Sequence, residues 1–312
     1  TNKDDTLEYN ISCRAGMIKC DPSQTSPSEI LGRAMSVYKK ARMPEYDDIL
    51  IVRDSNPKEI DHSFIRDFKN DFEADKFLVY YQPVYSNNDK LQIVSAEALI
   101  RWRKSGEMIS PSEFIPIAEK LNLIADIDLF VLNKACETLN KWIDSSIPVV
   151  PVSVNFSYLD LNNRNIAESI IETIDRNNIP HNLITIEFKE AGYHQEYETL
   201  SYTIKTLKSN GISVGIDNFG IGYSSFSLLK DLDIDFLKLA PQIVNSSNDK
   251  TRIVLESIIN LAHKLNISVV CQGMDNIELI DQLKEYGCNH FQTELYSKAL
   301  SERFFVNQLK NQ

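Results

Sequence analysis

Positive charge is in short supply in this chain. Its 33 lysines and arginines stand against 44 aspartates and glutamates, a formal net charge of −11 at pH 7 over 312 residues. A protein that tracks long nucleic acid needs a basic face to displace counterions from the phosphates, so that class is excluded. A small phosphorylated ligand stays open, because a bound cation inverts the local charge. No apolar run approaches the roughly 18–20 residues of a membrane span. Cysteine is sparse and scattered: Cys13, Cys20, Cys136, Cys271 and Cys288 are odd in number and form no CxxC pair. That distribution fits reduced, buried thiols rather than a disulfide framework or a zinc site. The five histidines, His62, His181, His194, His263 and His290, show neither HExxH nor HxH spacing, which argues against a histidine-held metal. Any chemistry therefore falls to carboxylates and amides. Glycine is rare as well, ten in all, yet Gly211, Gly215, Gly220 and Gly222 lie within twelve positions.

What is present is a repeated alternation. Residues 1–53 read as strand, helix, strand: a strand near Leu7 to Ile18, a helix opened by Ser26-Pro27-Ser28-Glu29, and the run Ile49-Leu50-Ile51-Val52. This βαβ piece is too short to bury a core of its own, so it is expected to be the remainder of a larger domain or to dock on the residues beyond it. A linker is placed at 54–60, marked by Asp54-Ser55-Asn56-Pro57, and the second domain takes 61–312. There Phe64, Ile65, Phe68 and Phe72 recur at helical spacing. Short β-rich runs are predicted at 77–84, 91–102, 149–155, 183–188, 213–217, 235–239, 268–271 and 290–292. Helices are predicted between most of them, at 126–142, 166–176, 199–209, 251–265 and 277–286. Eight strands interleaved with helices over about 250 residues is the arithmetic of a TIM-like (β/α)8 barrel. An open doubly wound sheet ranks second, because no GxGxxG succeeds an early strand.

Barrels gather function at the C-terminal ends of their strands. Seven successive strands place a polar group in an otherwise apolar run: Glu97, Asn155, Glu187, Asp217, Lys238, Gln272 and Gln292. One such residue is ordinarily a cap or a salt-bridge partner. Seven together are hard to explain that way, since each buried polar group needs a partner. Glu, Asp and Asn oxygens suit hard cations, so these residues point to a divalent-metal site in the barrel mouth. The stretch Gly220-Ile221-Gly222-Tyr223-Ser224-Ser225 after an acid-tipped strand reads as an ordinary βα loop or as a mobile lid.

Several motifs are more specific. Tyr81-Gln82-Pro83-Val84, Ala96 to Trp102 (AEALIRW), Phe114 to Glu119 (FIPIAE), Val154-Asn155-Phe156-Ser157, Asp217 to Ser225 (DNFGIGYSS), Leu237-Lys238-Leu239 and Gly287 to Gln292 (GCNHFQ) occur in order. From about residue 61 to 312 the chain resembles the EAL domains, the cyclic di-GMP phosphodiesterase family. The resemblance implies a modified TIM barrel with one antiparallel strand and, in active members, two divalent cations that cleave cyclic di-GMP to pGpG. It implies that Glu97, Asn155, Glu187 and Asp217 hold the first metal and that Lys238 lies near the attacking water, with Glu97 and Lys238 the catalytic pair. It further implies that Gln82, Arg101, Lys238, Asp275 and Gln292 face the ligand, and that Glu190 with Gly220 and Gly222 forms the mobile-loop apparatus. Residues 1–53 resemble, more loosely, the C-terminal part of a degenerate GGDEF-like domain.

The departures from the family pattern are local. Two adjacent aspartates are expected where this chain has Asp217-Asn218, and an EGVE-like run where it reads Gln272-Gly273-Met274-Asp275. Asn218 and Gln272 are thus amides where carboxylates of the second metal belong. An amide oxygen ligates without bringing charge, so one divalent cation (Mg2+, Mn2+ or Ca2+) is expected to remain and the second to be lost. The expected function is a catalytically impaired cyclic di-GMP receptor or a regulatory interaction module, with a weakly active phosphodiesterase as the alternative. Ala240 and Thr293, where the pattern has aspartate and glycine, lean toward the interaction module. Expected partners are cyclic di-GMP, a second copy of the chain through the EAL domain, and a regulatory protein. The expected compartment is the cytoplasm, with a membrane tether left open through an upstream region.

Overall fold

The computed structural model describes residues 15–18, 49–52, 62–74, 76–88, 91–104, 106–190, 197–221, 229–246 and 248–312. It divides into two compact units, Thr1–Asn70 and Asp71–Gln312. In the first, β1 (Ala15–Ile18) and β2 (Ile49–Val52) pair in parallel, Ala15 opposite Ile49 and Ile18 opposite Val52. The expected helix and its Ser26-Pro27 start lie outside the described residues. The helix α1 spans His62–Glu73.

The second unit is a closed barrel. Its strands are β3 (Phe77–Ser86), β4 (Ile93–Lys104), β6 (Val152–Phe156), β7 (Ile184–Lys189), β8 (Ser213–Phe219), β9 (Phe236–Leu239), β10 (Ser268–Gln272) and β11 (His290–Gln292). The ring runs β3-β4-β6-β7-β8-β9-β10-β11 and closes back on β3. Only β3 is antiparallel to its neighbours within it. The eight predicted strands are the eight observed, because each is a short β-rich run separated from the next by turns or a helical pattern. Two short strands extend the wall: β5 (Glu107–Ile109) on β4 and β12 (Leu300–Ser301) on β3.

The helices around the ring are α2 (Pro111–Lys120), α3 (Ile124–Asp144), α4 (Ile166–Arg176), α5 (Tyr197–Ser209), the single turn α6 (Pro241–Val244), α7 (Asp249–Lys264), α8 (Ile277–Glu285) and α9 (Glu302–Lys310). The sequence pattern does not announce α2 or α9. Both are short and bury only two residues four apart, Phe114 with Ala118 and Phe305 with Leu309, too brief a pattern to register as periodic. Asparagine does much of the helix-ending work that glycine does elsewhere: Asn122, Asn178 and Asn266 come after α2, α4 and α7 with φ of 55°, 55° and 58°. This is how so many helices terminate in a glycine-poor chain. Among the described residues no helix is long and apolar enough to cross a membrane.

Two aromatic clusters hold the antiparallel strand. Phe77 stacks on Trp102 at 5.5 Å with Phe114 edge-on to both. The Trp102 indole N–H donates to Asp71 at 3.0 Å. Farther along β3, Tyr81 packs on Trp142 and Phe305, fastening α3 and α9 to the strand. At Gly215 the missing side chain is a packing requirement. A methyl group there would lie 2.2 Å from the ring of Phe236 on the next strand.

Candidate functional site

The strand register brings the predicted polar residues together. Gln82 lies opposite Glu97, Asn155 opposite Glu187, Lys189 opposite Asp217, and Gln272 opposite Gln292. At the centre is Lys238, 1% exposed, whose Nζ donates to Glu97 Oε2 at 2.6 Å and to Glu187 Oε2 at 2.9 Å. Gln292 Nε2 donates to the same Glu97 oxygen at 2.7 Å, and Asn155 Nδ2 to the other at 2.5 Å. A second pole lies beside it. Asp217 Oδ2 accepts from Asn218 Nδ2 at 2.8 Å, while Asp217 Oδ1 accepts from Gln272 Nε2 at 2.9 Å. Gln272 also reaches Asn218 Oδ1 at 3.3 Å. The two amides therefore clasp the aspartate from both sides. Asn218 sits at φ 58°, a left-handed conformation that asparagine tolerates better than most residues.

The electrostatics arise from this geometry. Burial raises the pKa of Glu97, but the charge and hydrogen bond of Lys238, with help from Gln292 and Asn155, more than offset it and hold it below its usual range. Glu187 goes the other way, up to about 7: burial outweighs Lys238, and the negative charges of Glu97 and Asp217 add to it. Burial works against the charge on Lys238, yet Glu187, Glu97 and Asp217 raise its pKa above the usual value. The lysine is a permanent internal cation.

The peripheral residues are more dispersed. Arg101, half-buried, is four positions beyond Glu97 on β4 and so on the same face. Its guanidinium lies 5.7 Å from the centre of the Tyr80 ring and donates to the Ile100 carbonyl. Gln82 is half-buried in the barrel wall. Asp275 is exposed in the loop after β10 and accepts from Asn276, so the described contacts do not join it to the central network. Glu190 accepts the backbone N–H groups of Gly220 at 2.8 Å and Ile221 at 3.2 Å. Gly220 needs its glycine there, at φ 101°. Gly222 and the rest of the Tyr223-Ser224-Ser225 stretch lie outside the described residues. The loop after β10 is fixed by three contacts: Gly273 N–H to Gln292 O, Thr293 Oγ1 to Met274 O, and Asn245 Nδ2 to Gly273 O.

Among the described residues no three acids, histidines or cysteines converge as a ready metal cage, because the carboxylates face Lys238 and the amides. Within the Glu97–Lys238 network two of the buried oxygens nevertheless lack a hydrogen-bond partner, Asn155 Oδ1 and Gln292 Oε1. Unpartnered buried oxygens beside Glu97, Glu187 and Asp217 form an all-oxygen donor set that fits a hard divalent cation. Glu97, Asn155, Glu187 and Asp217 would hold it, and it would supply Lewis-acid polarisation of a phosphate oxygen or water. Asn218 and Gln272 do not fit a second ion in the same way, since both aim N–H donors at Asp217.

Sequence reasoning missed one buried pair. Asp128 on α3 and Asp160 both accept the Ser157 backbone N–H, at 3.0 and 2.7 Å, two residues beyond Asn155. The signal was present: Ser157-x-x-Asp160 is a capping pattern, and Asp128 falls on the buried face of α3 with Ile124, Ile127 and Val131. Burial raises both carboxyls, Asp160 to about 6. The charge and hydrogen bond of Asp160 raise Asp128 further, against the pull of the Ser157 N–H and Lys189. In Asp160 the hydrogen bonds from Asp128 and Ser157 work against burial, while Glu119 adds to it. An unfolded aspartate titrates near 3.9, so between about pH 4 and pH 6 the folded chain holds more protons than the unfolded one. Stability from this pair is thus fully present at the acid end and falls as pH rises through that window. Asp128→Asn keeps a donor toward Asp160 and removes the shared titration. Its Tm is expected to fall about 5 °C less than the wild type's between pH 4 and 7 by differential scanning fluorimetry; parallel curves would refute the assignment.

The family model for the EAL domain matches residues 65–299. The probable cyclic di-GMP phosphodiesterase PdeB of Escherichia coli K12 is 31% identical over 230 residues, covering 73% of this chain and 43% of that protein. Signaling protein YkoW of Bacillus subtilis 168 is 30% identical over 243 residues, covering 76% of this chain and 30% of that protein. The chain thus spans less than half the length of either relative. The structure of the PaMucR phosphodiesterase in complex with c-di-GMP superposes with a TM-score of 0.73 at 25% identity, covering 78% of this chain and 99% of that one.

Proposed function

Because the chain belongs to the EAL domain family, whose members act in cyclic di-GMP signalling, we propose that it is a catalytically impaired receptor for cyclic di-GMP. The observation that carries this reading is the amide clasp on Asp217. Where two acids would demand a second cation, Asn218 and Gln272 supply N–H donors and satisfy the aspartate without one. Glu97, Asn155, Glu187 and Asp217 retain the donors for a single Mg2+, Mn2+ or Ca2+, and Gln82, Arg101, Lys238 and Gln292 retain polar groups for the ligand. The similarity to a protein solved with the nucleotide bound supports this choice of ligand.

A second reading, a regulatory module that binds a protein instead, is favoured by Thr293 and Ala240. Both are fully buried, and the Thr293 hydroxyl is engaged with the Met274 carbonyl and the Leu295 N–H. Neither position offers a polar group to a nucleotide. We further take residues 1–53 as the end of a GGDEF-like domain, supported by the parallel β1–β2 pair, with 54–60 as linker, a homodimer through the EAL domain, and a cytoplasmic setting.

Isothermal titration decides between the readings. Cyclic di-GMP is expected to bind saturably at about tens of micromolar or tighter, with Mg2+ or Ca2+ present. No heat in that range, with or without the cation, would sink the receptor and leave the protein-binding module.

A further inference from the structure

We propose that Cys271 and Cys288 form a modification site, a dithiol that a peroxide oxidant converts to an internal disulfide bond on the outer face of the barrel wall. Three cysteines are described, and all are buried. Cys136 sits on α3 with no sulfur beside it among the described contacts, whereas Cys288 Sγ lies 3.1 Å from Cys271 Sγ. A disulfide bond measures about 2.05 Å, so the two sulfurs need to approach by only about 1 Å. Gln272 points inward to Asp217, and alternation along the strand turns its neighbour Cys271 to the opposite face. Cys288 is fixed in the turn between α8 and β11, where its N–H donates to Leu283 O at 2.9 Å and its sulfur lies 3.2 Å from the His290 carbonyl. The fold has therefore already met the entropic cost of bringing the thiols together.

Burial sets the character of the reaction. It holds the Cys271 thiol well above its ordinary range, and the neighbouring Cys288 adds to this, so thiolate is scarce and oxidation is slow. The same burial shields the product from bulky reductants. In the first step one thiolate attacks a hydrogen peroxide oxygen: the S–O bond forms, the O–O bond breaks, and hydroxide leaves to be protonated as water. In the second, the other sulfur displaces the sulfenic oxygen: the S–S bond forms, the S–O bond breaks, and that oxygen leaves as a second water carrying the second thiol's proton. Two electrons pass from the sulfurs to the peroxide, and both oxygens end as water. Close contact makes the second step faster than further oxidation of the sulfenic acid.

The bond would tie β10 to the turn before β11, the strands that carry Gln272 and Gln292 in register. It would close a loop around α8, with the two cysteines 17 positions apart. This chemistry is independent of whether the barrel binds a nucleotide. The test uses the whole chain, treated with hydrogen peroxide, quenched, denatured and assayed with Ellman's reagent and by peptide mass spectrometry. Two of the five thiols are expected to disappear, with a tryptic pair joined through Cys271 and Cys288 and full recovery in dithiothreitol. The non-reducing melt is expected to rise by about 8 °C. Cys271→Ala and Cys288→Ala should each lose the joined peptide; should either fail to fold, the wild-type peptide map decides alone. Five intact thiols, sulfinic acid at either cysteine, or a link through Cys13, Cys20 or Cys136 would overturn the proposal.

Discussion

Asn218→Asp combined with Gln272→Glu is expected to raise cleavage of cyclic di-GMP to pGpG, in Mn2+ or Mg2+, by on the order of a thousandfold. The reason is electrostatic. In the wild type both Asp217 oxygens are occupied by amide N–H groups, so nothing at this pole demands a second cation. The double variant replaces two donors by two anions around a third anion. A divalent cation then becomes the natural partner of Asp217 and the two introduced carboxylates, and when bound it would lower the pKa of a nearby water. The same change has a second readout independent of turnover. Three acids in contact repel, so without metal the variant's Tm should drop below the wild type's, and Mn2+ should recover it. A variant that binds Mn2+ yet stays inert toward the nucleotide would leave the protein-interaction reading standing. Product formation by the wild type itself, abolished in Glu97→Ala, would show that the amides are tolerated and that the chain is a slow enzyme.

Lys238→Met is expected to be the most destabilising single change at the centre, about 3–5 kcal/mol, read as a Tm lower by about 10 °C without divalent cation. The lysine is 1% exposed and bridges two carboxylates that are 7% and 2% exposed. Methionine fills its volume but leaves Glu97 and Glu187 buried without their counter-charge. Glu187 already rests near the edge of ionisation, at about 7, so part of the cost is relieved by its taking up a proton. Added Mg2+ or Ca2+ should raise the variant's Tm more than the wild type's, because the internal cation no longer competes for Glu97. An unchanged Tm in the absence of metal would refute the role given to this lysine.

Most of the architecture was legible in local sequence. Runs such as Ile184 to Phe188 and Val152 to Phe156 are short and β-rich, with apolar residues at alternate positions that turn one face to the covering helices. The polar residues that stand in the barrel strands were legible too, because an acid or amide interrupting such a run is conspicuous. Short elements such as α2 and α9 escaped, since two buried residues make no period. Who partners whom was left to the folded chain. Lys238 is more than a hundred residues from Glu97 in sequence, and Gln272 is more than fifty from Asp217, so no local pattern could pair them. Closure of the ring around β3 and the register of parallel strands set those distances. The acid surplus is spread through the chain and could be read from composition. The neutral clasp on Asp217 exists only where β8 and β10 bring their side chains into hydrogen-bond range, since such a bond depends on distance in space and not on position in the chain.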